Sequence, residues 1–499
     1  MLRFFYAWLR NFIFLKVNFN KKIVAENLFF QILVRIFHLK TIHLSQIIRM
    51  KKLILLAIIG LGIISCTTQK STKMNDLPSE WKHTTNIYEV NIRQYTKEGT
   101  FRAFEKEMPR LKEMGVKTLW FMPITPIAQK NKKGPLGSQY AAQDYTAINP
   151  EFGTMEDFKH MVDEAHKMGF KVIIDWVANH TGWDHVWTKT NPDFYLKDPK
   201  TNDFQIASGM DDIIELDYKN PKMRLAMIDA MKFWVREANI DGFRCDLASW
   251  VEVDFWQQAR PEVEKLKPLF WLGEFDELDN PEYGKVFDAS YIWSWMHKTK
   301  DFNEGKASFG DLKDLLGKYS AIGNGSMRAW FTSNHDENTW NGTEYEKYGV
   351  FAKPLAVFSI TWNGVPLIYN GQELPLKTKR LEFFQKDPIP WTGNNELHNF
   401  YKTLLQLKSN NPALRGGDDA AETYILKTSA DDKVLAYVRK NGKDEVLVVL
   451  NFSKDNVSFT IDDANATGVF HNIFTGPVKN FSLDKSFYLP VGGYAVMKK

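Results

Sequence analysis

The sequence predicts an α/β fold: a (β/α)8 TIM barrel with a loop subdomain inserted after strand 3, followed by a C-terminal all-β sandwich domain. Three observations predict it. Helix–glycine–strand units repeat along most of the chain, the apolar strand-like runs there number about eight, and after Pro412 helical periodicity gives way to closely spaced strands. The clearest unit spans 154–177. Thr154 with Asp157 three residues later marks a helix start, and Phe158, Met161, Val162, Ala165 and Met168 recur at helical spacing. Gly169 then suits a C-terminal cap, and 171–177 is apolar and β-rich. The same grammar runs through 104–114, Gly115 and 116–122, and again through 223–238 before Gly242. Further strand runs read at 87–93, 270–275, 286–292, 328–332 and 366–370. The stretch 178–220, with Trp183, Trp187, Phe194, Tyr195 and Phe204, is too long for an ordinary connection and reads as a functional insert. Beyond the barrel, 434–438 and 446–450 flank the turn Lys440-Asn441-Gly442-Lys443, and short strands follow at 457–461, 469–473, 487–489 and 495–497. The expected domains are therefore a barrel over 78–412 and a β-sandwich over 413–499.

The chain has 499 residues, 44% hydrophobic and 25% charged, which suits a large core. Its net charge of +4 is concentrated at the front, where 1–52 is rich in Lys and Arg with Glu26 as its one acid. The remainder is mildly acidic, so no nucleic-acid partner is expected. From Met50 the chain reads as a secretory signal: Lys51 and Lys52, an apolar run, then Ser65-Cys66. That end resembles a bacterial lipoprotein cleavage site. The expectation is a signal peptide over 50–66, acylation of Cys66, a polar tether over 67–77 and a lipid anchor to the membrane, on the periplasmic or cell-surface side. Residues 1–49 carry no targeting pattern and are expected to be untranslated or absent from the mature protein. Cys66 and Cys245 are the only cysteines, so no disulfide framework is available.

Barrel enzymes place reactive side chains where strands end. Four carboxylates stand at such ends: Asp175 in VIIDWVANH, Asp246 in DGFRCDLA, Glu274 in FWLGEF and Asp336 in WFTSNHDEN. They are accompanied by His180, Arg244 and His335. Paired carboxylates in a cleft are the apparatus of glycoside hydrolysis, one giving a proton and another attacking or acting as base. Arg244 lies two residues before Asp246, hence on the same strand face, where its charge would keep that carboxylate ionised. Glu274 sits among Phe270, Trp271, Leu272 and Phe275, an apolar setting that raises a carboxyl pKa as a proton donor requires.

At these residues the chain resembles the α-amylase family of glycoside hydrolases. Asp175 to His180, Gly242 to Asp246, Gly273-Glu274 and Asn334-His335-Asp336 match its third, fourth, fifth and seventh strand motifs, and 364–373 and 115–123 resemble the eighth and second. The resemblance implies that Asp246 is the nucleophile, Glu274 the acid/base and Asp336 the transition-state stabiliser. It also implies that Tyr140, His180, Arg244 and His335 bind substrate and that Asp175 supports the site. The implied activity is retaining hydrolysis of α-glucosidic bonds in starch, glycogen or malto-oligosaccharides. A glucanosyltransferase on the same glucans, or a non-catalytic sugar-binding protein, are the alternatives. The loop tryptophans Trp183, Trp187, Trp250 and Trp256 are the expected sugar platforms. The family's Lys-His after the nucleophile is replaced by Ser249-Trp250, and its Asp-rich calcium loop after the first strand is missing. Calcium is therefore possible but no cofactor is expected to be required. Asn179 is the one matched ligand position, with Asp203, Asp211 and Asp212 in the same loop.

Overall fold

A computed structural model describes residues 80–499 except 324, 475 and 477. The expected signal at 50–66 with Cys66, the segment 1–49 and the whole tether 67–77 lie outside the described residues, as do Pro78 and Ser79. Strands appear in the order β1 (Ile87–Val90), β2 (Thr118–Phe121), β3 (Lys171–Trp176), β4 (His180–Gly182), β5 (Ile213–Glu215), β6 (Gly242–Cys245), β7 (Phe270–Asp276), β8 (Ala289–Tyr291), β9 (Met327–Trp330) and β10 (Val365–Tyr369). All except β4 and β5 close into one parallel barrel, with neighbours β1-β2-β3-β6-β7-β8-β9-β10. These are the eight strands the sequence predicts. β4 and β5 form an antiparallel ribbon within the insert, pairing His180 with Glu215.

Local chemistry accounts for the element ends. Thr154 and Asp157 form a reciprocal capping box on helix Met155–Lys167, and Gly169 leaves that helix at φ 82°, a conformation costly for any residue with a Cβ. Barrel strands are buried on both faces because helices cover the outside and side chains fill the inside. β7 departs from regular pairing: Gly273 opposes Ser290, yet Asp276 opposes the next residue, Tyr291. Glu274 and Phe275 are thus extra residues in a bulge, a device that re-aims side chains beside active sites.

The C-terminal strands are β11 (Glu422–Ile425), β12 (Val434–Asn441), β13 (Asp444–Asn451), β14 (Val457–Thr460), β15 (Val469–Asn472), β16 (Lys479–Asn480), β17 (Ser486–Leu489) and β18 (Tyr494–Lys498). Six form an antiparallel sheet ordered β11-β12-β13-β18-β15-β16, and β14 pairs with β17. Alternation divides β12 between two cores. Ala436 and Val438 pack with Phe459, Phe487 and Leu489 from β14 and β17, whereas Leu435 and Tyr437 join the barrel's own core. Tyr437 meets Trp362 edge-on at 4.8 Å and bonds the Thr361 hydroxyl at 2.6 Å. The sheet and the barrel therefore share a continuous apolar contact. β11 and β16 lie at the sheet edges, and the side-chain exposure along β11 shows no alternation for a sequence reading to detect.

Candidate active site

Arg244 on β6 organises the open end of the barrel. Its Nη1 donates to both oxygens of Asp175, at 3.0 and 3.1 Å, and to Asp246 at 2.8 Å, while Nη2 stands 2.7 Å from a Glu274 oxygen. The guanidinium also sits against the rings of Trp120, Tyr291 and Tyr140, at 5.1, 5.5 and 5.8 Å. Residues two apart share a strand face, which is why Arg244 and Asp246 meet. Asp175, one strand over, is entirely enclosed and also accepts from Trp120 Nε1 and the Tyr140 hydroxyl.

Burial dominates the carboxyl chemistry. It raises Glu274 to about 7 and Asp246 to about 6, although Arg244 pulls both down. Arg244 alone therefore does not keep Asp246 at an ordinary carboxylate value; its charge offsets only part of the desolvation. Glu274 also accepts the backbone N–H of Leu247 at 2.9 Å, and Leu247 adopts a left-handed backbone, φ 42°, to present it.

Asp336 differs. Its side chain is 36% exposed, against 9% for Asp246 and Glu274. Burial pushes its pKa up, but the His335 charge, a His335 hydrogen bond and Arg244 outweigh that and hold it below the usual range. His335 is in turn raised well above 6.5: burial opposes its charge, but Asp336 and Glu89 flank it, with Glu89 Oε1 2.5 Å from Nδ1 and Asp336 3.2 Å from Nε2. His180 has no such partner. Burial lowers it to about 4, so its ring is neutral, and its buried Nε2 has no hydrogen-bond partner among the described residues.

Asp246, Glu274, Asp336, His180, His335 and Tyr140 all line one open pocket of roughly 460 Å³, within the range of small-molecule sites. A second cavity, where β9 and β10 begin, is lined by Arg328, Trp330, Trp362 and Thr423 and has no carboxylate in its wall.

With that geometry in view, comparison with known proteins is decisive. The family model for the α-amylase catalytic domain matches residues 77–208 and 192–417, and that for the maltogenic amylase C-terminal domain matches 425–494. The chain belongs to the α-amylase family. It is 26% identical to α-amylase 2 of Dictyoglomus thermophilum, over 81% of this chain and 74% of that one. Against the maltogenic α-amylase of Bacillus acidopullulyticus it is 28% identical over 75% of its length, spanning 66% of the relative. The crystal structure of a maltogenic α-amylase from Thermotoga neapolitana superposes with a TM-score of 0.75 at 30% identity, covering 84% of this chain and 99% of the other.

In this α-amylase-family chain the pocket unites all but one of the residues expected to be catalytic or to bind substrate. Arg244 is the exception. Its side chain is fully enclosed behind the carboxylates it pairs with and is not part of the pocket lining. The four expected tryptophan platforms stand outside this pocket. Trp256 is a core residue, Trp187 packs among Tyr145, His185 and Phe194, Trp183 bonds the Asp211 carbonyl, and Trp250 is exposed; none lines the pocket. The aromatic wall instead comprises Trp340, Phe383 and Phe384, beside Tyr140. Trp340 was detectable as an aromatic four residues after Asp336, while Phe383-Phe384 lies in the connection after β10, where no motif marks it. Glu89 was missed as well, though a carboxylate inside the apolar run Ile87-Tyr88-Glu89-Val90 was a visible anomaly.

Asn179 is buried with its amide 3.4 Å from His180 Nδ1. Asp211 and Asp212 turn to Lys133, at 3.1 and 2.9 Å, and Asp203 is exposed. Among the described residues no three His, Cys, Asp or Glu side chains converge as a metal site. This donor set does not fit the oxygen cage calcium needs. The insert is held by the β4–β5 ribbon, by Lys133 and by packed rings such as Tyr195 tilted against Phe204 at 5.0 Å.

Proposed function

We propose that the chain hydrolyses α-glucosidic bonds of starch-like glucans or malto-oligosaccharides with retention of configuration. The observation that carries this reading is the sharing of one guanidinium by Asp246 and Glu274, with Glu274 bonded to the peptide N–H that follows Asp246. A shared guanidinium favours a close pair of carboxyls, as covalent catalysis requires, over a pair spread to about 6.5–9.5 Å around a water. In the first step an Asp246 oxygen bonds the anomeric carbon. The glycosidic C–O bond breaks, and its oxygen takes the Glu274 proton and leaves as the new hydroxyl. In the second step the Glu274 carboxylate takes a proton from water, whose oxygen displaces Asp246 and restores the α anomer. Asp336 accepts hydroxyl hydrogens of the ring, and the neutral His180 offers its free Nε2. Incubation with soluble starch, pullulan and maltotriose followed by proton NMR should show the α anomer first. An initial β signal would refute the mechanism, and Asp246→Asn retaining more than about a tenth of the activity would refute the nucleophile.

We further propose that the protein is exported and anchored through an acylated Cys66. The support is the basic, then apolar, then Ser65-Cys66 pattern from Met50. A Cys66→Ser variant should leave the membrane fraction; continued association would point to residues 1–49 as the anchor.

A further inference from the structure

The aromatic wall extends the pocket beyond what one sugar ring needs. Tyr140 lies nearly parallel to Phe383, centroids 6.1 Å apart at 17°, and Phe383 packs on Trp340 at 5.5 Å. Trp340 is 53% exposed, unusual for the largest apolar side chain. It is nevertheless firmly mounted. It stands on the π-helical turn Glu337–Asn341 directly after Asp336, a distortion often found at functional sites. On that turn Asn338 accepts from Leu381 N at 2.8 Å, Thr339 donates to Leu381 O at 2.7 Å, and Glu337 receives the buried Lys347 ammonium at 2.8 Å. The main chain on either side of Phe383-Phe384 is held by Gln94, whose amide donates to the carbonyls of Glu382 and Gln385. The same lining also holds polar groups, among them Lys133, paired with Asp212 at 2.9 Å.

We propose that Trp340, backed by Phe383, is the platform for a second glucose ring, the one joined to the ring held over Tyr140. It thereby sets the preference for oligosaccharides over single-ring glucosides. A pyranose presents an apolar C–H face and a hydroxylated edge. The indole covers the first, and Lys133 with Asp212 faces the second. A core tryptophan would be covered already; here a rigid apolar face is left bare beside the reacting position, so binding orders little that is not already ordered.

The proposal rests on the hydrolase reading, and one experiment separates them. The specificity constant kcat/KM is measured for α-glucosyl fluoride, which fills only the reacting position, and for maltotriose, in the wild type, Trp340→Ala and Trp340→Phe. Trp340→Ala should lower the value for maltotriose roughly tenfold more than that for the fluoride, chiefly through KM, and Trp340→Phe should recover most of the loss. An unchanged ratio in Trp340→Ala, or an equal fall on both substrates, would overturn the platform while leaving the hydrolase reading intact. A wild type inactive on both would remove the two together.

Discussion

Among the described residues three arginines, Arg93, Arg244 and Arg439, are completely buried, and the last two live in opposite chemical surroundings. Arg244 is ringed by Asp175, Asp246 and Glu274 and by three aromatic faces, and these carboxylates raise its pKa well above normal despite burial. Arg439 lies between sheet and barrel. It donates to the carbonyls of Trp362, at 3.3 Å, and Arg415, at 2.7 Å, and burial lowers its pKa to about 10 with no carboxylate to oppose it. A buried guanidinium can thus be satisfied by main-chain carbonyls when its task is to join two layers. Three carboxylates gather around Arg244, where their own charge is needed for another purpose. The excess of acids at Arg244 is a marker of chemistry, not of stability.

The sharpest test of that contrast is to replace each arginine by methionine. Arg244→Met leaves three carboxylates without their cation, so activity should fall by several orders of magnitude and unfolding free energy by about 3–5 kcal/mol. Arg439→Met should leave kcat within about a factor of two and, because relief of a buried charge offsets two lost hydrogen bonds, shift stability by only about 1–2 kcal/mol. Comparable losses of kcat in the two variants, read beside denaturant curves, would dissolve the distinction.

A smaller effect concerns Glu274 alone. Its pKa in the fold is about 7 against an ordinary 4.5, so the unfolded chain gives up that proton first as pH rises. Stability is lost between these two values and the loss is complete above the higher. Glu274→Gln escapes it, so the variant's stability relative to wild type should grow by up to about 3 kcal/mol between pH 4 and pH 8. Melting curves at the two pH values check this, and a constant difference would contradict the burial argument. In the wild type, kcat/KM should peak between an acid limb near the Asp246 value of about 6 and an alkaline limb near that of Glu274, the two limbs belonging to the coupled pair. The smallest effect expected is that of chelation. Dialysis against EDTA should leave activity and melting temperature nearly unchanged, and a loss restored by calcium would make Asn179 the first residue to mutate.

Much of this arrangement was legible in the sequence because it follows short-range rules. The eight strands showed as apolar runs between helix caps and glycines, and Asp246, Glu274 and Asp336 stood at strand ends. What escaped depends on contacts between distant segments. Glu89 and His335 are far apart in sequence and meet only when β1 closes the barrel against β10. Phe383 gains its meaning from Gln94, distant in sequence, which holds the main chain of its loop. Trp187 and Trp256 looked like sugar platforms because composition cannot distinguish a ring facing solvent from one facing the core.

The bulge in β7 has a consequence for which insertions and deletions this gene lineage can survive. It adds Glu274 and Phe275, an even number of residues, between positions that pair with consecutive residues of β8. Side chains alternate in pairs, so Gly273 and Asp276 keep the sides they would have in an unbulged strand. Losing both codons would remove the acid/base yet return a regular strand with the barrel intact. Losing one would turn every later side chain of the strand to the wrong face. Descent from this chain therefore permits a folded, inert barrel in one even step, while odd steps at the same place are closed.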